Sequence, residues 1–276
     1  GVSSAASDVY KRQGRTGVDL GLKDKQAIVC GASRGMGRAI ALTLAREGMA
    51  LTIAARTPDT IQAAAAAIAA ETGARVTPVA ADLTTEAGRA AVLAACPAPD
   101  VLVNNGDGMP PGDFRDWDRD IWMRALDMMM LSPIQMIRGV VDGMMARGFG
   151  RIVNLASRSV KSPHAELGLS NGARAGLVNF CAGLSRQTVA RGVTINNVLP
   201  GIVATEAQEA HVRGLVAMTG RPYEEIWAER AAANPAKRYG TAEEIAAAVA
   251  FLCSAQAGFI TGQSLLADGG QFPGSF

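Results

Sequence analysis

Residues 30–37 read CGASRGMG and stand directly between an aliphatic run, QAIVC (26–30), and a helix-forming stretch, RAIALTLAREG (38–48). A strand, a glycine-rich turn and a helix in that order leave a chain few options, because each glycine answers a different backbone demand. Gly31 permits a tight turn, Gly35 lets the backbone approach a pyrophosphate, and Gly37 lets the helix pack closely on the sheet. The helix start adds free N–H groups and the positive end of the helix dipole, with Ser33, Arg34 and Met36 in the same turn. The segment is expected to cradle the phosphates of a dinucleotide; a merely structural turn is the alternative.

The rest of the chain repeats the pattern. Short aliphatic runs alternate with alanine-rich helical segments: ALTIAA (50–55), RVTPVA (75–80), DVLVNN (100–105), RIVNLA (151–156), VTINNV (193–198) and SLLA (264–267) follow the first run. Strands separated by helices make βαβ units, so the expected fold is α/β: a Rossmann-type, doubly wound, seven-stranded parallel sheet in a three-layer αβα sandwich. The 276 residues suit one large domain or two small ones, and the unbroken alternation favours a single domain over 21–276. Gly48, Gly73, Gly150 and Gly192 each precede a strand, where a helix end needs positive φ. Residues 207–238 break the rhythm with a long charged helical stretch. It reads as a helical lid around 205–238, with an ordinary surface excursion as the alternative. LDMMML (126–131) and GMM (143–145) read as core filler or subunit contact in preference to a methionine-lined ligand site. Residues 1–20 are polar and small, without the apolar core of a signal peptide, and are expected to lie outside the folded body. Their SSAASDVYKRQ stretch resembles translated library adaptor; a native extension is the other reading.

Charge and cysteine content exclude other classes. Twenty-seven basic and 25 acidic residues leave a net charge of +2 with no basic stripe, so neither nucleic acid nor an anionic membrane is an expected partner. No apolar run approaches the roughly 20 residues that cross a bilayer. Cys30, Cys96, Cys181 and Cys253 lie far apart, without the paired spacing of a redox or metal motif. They read as reduced, mostly buried thiols of a cytoplasmic protein, and no metal is expected.

Several further motifs fall in one order: G-x-x-x-G-x-G after the first strand, NNGDG (104–108) after the fourth, Ser157 after the fifth, NNVLPG (196–201) after the sixth and DGG (268–270) near the end. In this the chain resembles the short-chain dehydrogenase/reductase family from about Gly21 to Gly270, and is most similar to bacterial 3-oxoacyl-acyl-carrier-protein reductase-like members. The resemblance implies a nicotinamide cofactor and a small-molecule carbonyl or alcohol substrate. The acid that binds both ribose hydroxyls of NAD is missing at the end of the second strand, where Ala55 and Arg56 stand. Arg34 and Arg56 suit a 2′-phosphate, so NADP(H) is expected over NAD(H), which stays admissible. By the same resemblance Asp82 and Leu83 contact adenine, Asn104 ties neighbouring strands beneath the cofactor, and Asn105, Gly106, Pro200, Gly201 and Ile202 complete the cofactor site. The closing stretch from Arg238 to Gly270 implies a homotetramer, with a dimer as fallback.

The family's catalytic centre implies an asparagine, a serine, a tyrosine and a lysine. Counting from Ser157 puts Ser170 at the tyrosine position and Arg174 at the lysine position, while Met129 falls where the asparagine belongs and Asp107 replaces a loop glycine. Arg174 keeps a positive charge near the ribose. A serine hydroxyl is far less acidic than a phenol of pKa about 10, and it lies nearer the backbone. In the intervening loop His164 is the group suited to exchange protons near neutral pH, with Lys161 and Arg158 behind it. The reading is an NADP(H)-dependent oxidoreductase with an atypical proton donor. The alternative is a cofactor-binding pseudoenzyme or regulatory subunit. Halohydrin dehalogenases also carry arginine for the lysine, but they keep the tyrosine and lose the glycine loop, the reverse of this sequence.

Overall fold

The computed structural model describes residues 18–275, so the expectation for residues 1–17 lies outside the described residues. At 18–20 it is corrected: Leu20 packs against the core and its carbonyl accepts from the Ala255 N–H at 2.9 Å, so the folded body begins before Gly21. Seven strands form one parallel sheet: β1 (Gln26–Cys30), β2 (Ala50–Ala55), β3 (Val76–Ala80), β4 (Val101–Asn104), β5 (Gly150–Leu155), β6 (Val193–Pro200) and β7 (Ser264–Ala267). Their spatial order is β3-β2-β1-β4-β5-β6-β7, so the chain winds one way from β1 to β3, then returns beside β1 and winds the other way.

The strands are aliphatic on both sides because both faces are covered. In β1, Ala27 and Val29 belong to one buried cluster and Ile28 and Cys30 to another, as the two-residue period of a strand requires. The first cluster takes its helical side chains from α1 (Gly35–Arg46), α2 (Pro58–Thr72) and α9 (Ala242–Cys253), through Ile40, Leu44, Ile61, Ile68, Ile245 and Val249. The second takes them from α3 (Glu86–Ala95), α5 (Ser132–Arg147) and α6 (Gly168–Thr188), through Val92, Met136, Ile137, Val140, Leu177 and Cys181. The result is the three-layer sandwich expected. All four cysteines are free and buried.

Local signals set the ends of the elements. Gly48, Gly73 and Gly192 have φ of +83°, +71° and +75°. Gly150 is a correction: it opens β5 as an ordinary strand residue, and Gly148, two residues earlier, takes the left-handed cap of α5 at φ +70°. The cap must follow the last helical carbonyls directly, and Phe149 intervenes between cap and strand. β6 runs two residues beyond the expected stretch, to Pro200, because β7 pairs with it there. Across the middle of the sheet runs a ladder of amides: Asn104 Nδ2 donates to Asn154 Oδ1 at 2.9 Å, and Asn154 Nδ2 to Asn197 Oδ1 at 2.9 Å. Asn104 thus ties strands together, as expected, and each buried amide finds a partner on the next strand.

Helix α4 (Arg119–Leu126) runs into α5 through a π turn, Asp127–Leu131, closed by the Ser132 hydroxyl donating to the Asp127 carbonyl at 2.6 Å. Residues 205–238 hold α7 (Glu206–Thr219) and α8 (Tyr223–Ala233). Among the described residues no helix is long and apolar enough to cross a membrane.

Candidate active site

The carboxyl ends of β1 and β4, where the strand order reverses, border a cavity of about 520 Å³. That crevice is where a doubly wound sheet binds its ligand. The glycine loop forms one wall. Gly31 and Gly35 take φ of +60° and +53°, and a Cβ on Gly37 would stand 2.1 Å from the Gly31 carbonyl oxygen. Asn105 fixes the loop from behind, with Nδ2 donating to the Gly31 carbonyl at 3.0 Å and the Cys30 carbonyl at 3.3 Å. Helix α1 starts without a side-chain cap and without an acidic residue in its first turn, so its first N–H groups face the cavity open. A bare backbone cradle and an uncapped helix start fit the phosphates of a dinucleotide.

At one end of the cavity stand Arg34, Arg56, Asp82 and Leu83. Asp82 Oδ1 accepts from the Thr84 N–H at 2.9 Å and the Thr84 hydroxyl at 2.8 Å. These bonds hold its carboxyl below the usual carboxylate range; burial opposes them, and Arg56 adds a smaller pull in the same direction. Arg56, expected to receive a phosphate, forms an ion pair with Asp107, and both side chains are more than half exposed.

At the other end Arg174 reaches back from α6 to the end of β5. Its Nη1 donates to the Leu155 carbonyl at 2.8 Å and the Ala156 carbonyl at 3.2 Å, and its Nε donates to Ser170 Oγ at 3.2 Å. Ser170 lies one helical turn earlier, so the two side chains share a face of α6. Burial pushes the Arg174 pKa down to about 10, with Asp107 pulling the other way, and the guanidinium stays charged at neutral pH.

Of the residues singled out in the sequence, Gly31, Ser33, Arg34, Gly35, Met36, Gly37, Arg56, Asp82, Leu83, Asn105, Gly106 and Arg174 border this cavity. Ser157, His164, Ser170, Pro200, Gly201 and Ile202 do not. Ser170 joins it through Arg174. Ser157 Oγ accepts from the Ser159 N–H at 3.1 Å and caps a short 3-10 turn, Arg158–Val160. His164 is exposed, and its Nε2 lies 2.9 Å from Arg158 Nη2. The Gly201 N–H donates to the Ala267 carbonyl at 3.0 Å, and a Cβ there would meet Asp268 Cα at 2.8 Å, so this turn closes against the strand beside it.

The sequence reading missed four contributors to the cavity wall: Met128, Met129, Thr205 and Glu206. Met128 and Met129, read as filler, border the cavity while packing on Ala125, Leu169 and Ala173. The core-packing reading of these methionines holds, and they border the cavity as well. The π turn that carries them adds one residue to an otherwise continuous helical run, which periodicity does not display. Thr205 and Glu206, at the start of α7, border the cavity too.

Comparison with known proteins agrees with this architecture. A family model described as enoyl-(acyl carrier protein) reductase matches residues 31–271, and the chain belongs to the short-chain dehydrogenase/reductase family. Among its relatives, the NADPH-dependent reductase BacG of Bacillus subtilis (strain 168) is 32% identical over 254 residues, covering 90% of this chain and 98% of that protein. The 3-oxoacyl-[acyl-carrier-protein] reductase FabG of Vibrio harveyi is 33% identical over 256 residues, covering 92% and 99%. The L-sorbose reductase of Gluconobacter frateurii, solved with NADPH and L-sorbose, superposes with a TM-score of 0.88 at 29% identity, covering 93% of this chain and 100% of that one.

Proposed function

We propose that the chain is an NADP(H)-dependent oxidoreductase acting between a carbonyl and an alcohol, with Ser170 and Arg174 in the places of the family's tyrosine and lysine. The observation that carries this reading is the charged Arg174 guanidinium in the cavity wall, bonded to the end of β5 on one side and to the Ser170 hydroxyl on the other. Relatives named as NADPH-dependent or solved with NADPH support the cofactor.

Gly31 to Gly37, with Ser33, Arg34 and Met36, would hold the pyrophosphate on backbone N–H groups, Arg34 and Arg56 the 2′-phosphate, and Asp82 and Leu83 the adenine. Asn105, Gly106 and the Pro200–Ile202 turn would support the nicotinamide half, and Arg174 its ribose. When bound, NADPH supplies a hydride to a carbonyl carbon, which with one proton on the oxygen gives a secondary alcohol and NADP⁺. Ser157 hydrogen-bonds the substrate oxygen. Ser170 accepts from Arg174 Nε, so its own hydroxyl proton is left to donate, and the adjacent charge stabilises the oxygen that loses it. His164 accepts from Arg158 and orients it. Met128 and Met129 keep water from the wall where the family places its asparagine, and residues 205–238 cover the opening. Phe251, Phe259 and Leu265, exposed on and beside α9 and β7, would bury against a second copy in a homotetramer or a dimer.

One observation favours the second reading, a cofactor-binding subunit with little turnover: Met129, at the asparagine position, is 3% exposed and offers no strong hydrogen-bonding group. Assay of the purified protein with NADPH against ketones, 3-oxoacyl thioesters and quinones separates the two. Cofactor consumption that falls on Ser157→Ala supports the oxidoreductase; NADPH binding without turnover of any substrate supports the subunit.

A further inference from the structure

The start of α7 closes over the glycine loop at one edge of the dinucleotide cavity. A Cβ at Gly35 would lie 3.6 Å from Glu206 Oε2, 3.6 Å from Thr205 Cγ2 and 3.7 Å from Thr205 Cβ, all ordinary van der Waals distances. Thr205, Glu206 and Ala207 border the cavity together with the loop. Gly35 is the residue whose bare backbone admits a pyrophosphate, so a carboxylate stands on the side from which that group must approach.

Of the carboxylates that border the cavity, Asp82 is engaged by Thr84 and Asp107 by Arg56. Glu206 differs: among the described residues no hydrogen bond or ion pair engages its side chain, which is open to solvent on one side. Helix α7 is anchored without it. Thr205 Oγ1 accepts from the Gln208 N–H at 3.4 Å, and Glu209, in the same first turn, pairs with Arg213 at 3.0 Å. What the Glu206 carboxylate meets is the start of α1, which has neither an acid in its first turn nor a side-chain cap. The positive end of that helix favours an anion, and here the lid supplies one.

We propose that Glu206 competes with the dinucleotide's pyrophosphate for the glycine loop, and so sets cofactor affinity from the lid side of the cavity. The inference rests on the cofactor reading above. A pyrophosphate on the loop places like charge against the carboxylate, so binding costs either that repulsion or a displacement of the start of α7. The side chain is exposed, so the repulsion is screened as in water. At about 4 Å it amounts to about a fivefold loss of affinity. The pyrophosphate is common to both nicotinamides, and Glu206 therefore weakens NADPH and NADH by one factor. In this it differs from the Arg56–Asp107 pair, which acts where the 2′-phosphate of NADPH is expected.

The test titrates the full chain with NADPH and NADH in three forms: wild type, Glu206→Gln and Glu209→Gln. In parallel, the melting temperature of each is recorded with and without inorganic pyrophosphate. Glu206→Gln is expected to lower both dissociation constants about fivefold, by the same factor, and to enlarge the stabilisation by pyrophosphate. The gain should shrink toward one in about 1 M salt, where exposed charges are screened within ~3 Å. Glu209→Gln, which removes an acid of the same turn that does not border the cavity, should match the wild type. Unchanged or weaker binding of both nicotinamides in Glu206→Gln, a gain confined to NADPH, or an equal gain in Glu209→Gln overturns the inference. If neither nicotinamide binds either protein, the cofactor reading fails and pyrophosphate decides the inference alone. Stronger stabilisation of Glu206→Gln than of wild type then upholds it; equal stabilisation, or none, overturns it.

Discussion

Arg174 and Arg56 both border the cofactor cavity, and the structure gives them different partners. Arg174 is fixed by two carbonyls and a hydroxyl, so Ser170→Ala removes one bond and leaves the guanidinium in place. Turnover is expected to fall about 100-fold or more, the usual loss on removing a proton donor, while the NADPH dissociation constant from fluorescence titration changes less than about threefold. Because burial pulls the Arg174 pKa down to about 10, its charge is complete at neutral pH and is lost as pH rises through about 10. NADPH affinity therefore weakens on the alkaline side, and Arg174→Gln, lacking the charge throughout, shows no such limb in a titration repeated from pH 7 to 11. Arg56 is paired with Asp107, which a phosphate must displace. Arg56→Ala is expected to weaken NADPH about 10-fold with little effect on NADH, and Asp107→Asn to strengthen NADPH, both measured by competitive titration. The residue types at these positions were legible in the sequence. The Arg56–Asp107 pair was not, because the partners stand 51 residues apart.

Among the elements, those set by a local pattern were readable. The strand–glycine–helix unit at residues 26–46 follows from the order of residue types, and a Cβ at residue 37 meeting a backbone oxygen at 2.1 Å explains why glycine stands there. Gly148 was missed in favour of Gly150 because two glycines bracket Phe149 and spacing alone does not say which follows the last helical turn. The π turn was invisible for the reason given above. Helix α9 supplies a test of element stability. Thr241 and Glu244 form a capping box in which the Glu244 N–H donates to Thr241 Oγ1 at 3.2 Å and Glu244 Oε2 accepts from the Thr241 N–H at 2.9 Å. Thr241→Ala should cost about 1 kcal/mol and lower the melting temperature by about 2–4 °C. Arg238 and the Thr241 N–H hold the Glu244 carboxyl down to about 2. A folded-state value below the unfolded one gives stability that is present above the usual carboxylate range and lost as pH falls through about 2. The melting-temperature gap between wild type and Glu244→Gln should accordingly be open at pH 6 and narrow toward pH 2.

For the whole molecule, the alternation of aliphatic and helical segments determined a sheet covered on both faces, and the two buried clusters on either side of β1 are its physical expression. What lies beyond one chain was legible only by resemblance. Phe259 is fully exposed, with Phe251 and Leu265 near half, on the side of the sheet that ends at β7. Size-exclusion chromatography with light scattering is expected to give two or four times the chain mass of 28.5 kDa, and Phe251→Asp with Phe259→Asp to reduce it.

The account stands or falls on the grip of the backbone between Gly31 and Gly37, which fluorescence titration of the full chain with NADPH measures most directly. Saturable binding, tighter for NADPH than for NADH and abolished in Gly37→Val, is the predicted result. An unchanged signal with both reduced nicotinamides, or undiminished binding in Gly37→Val, would contradict it.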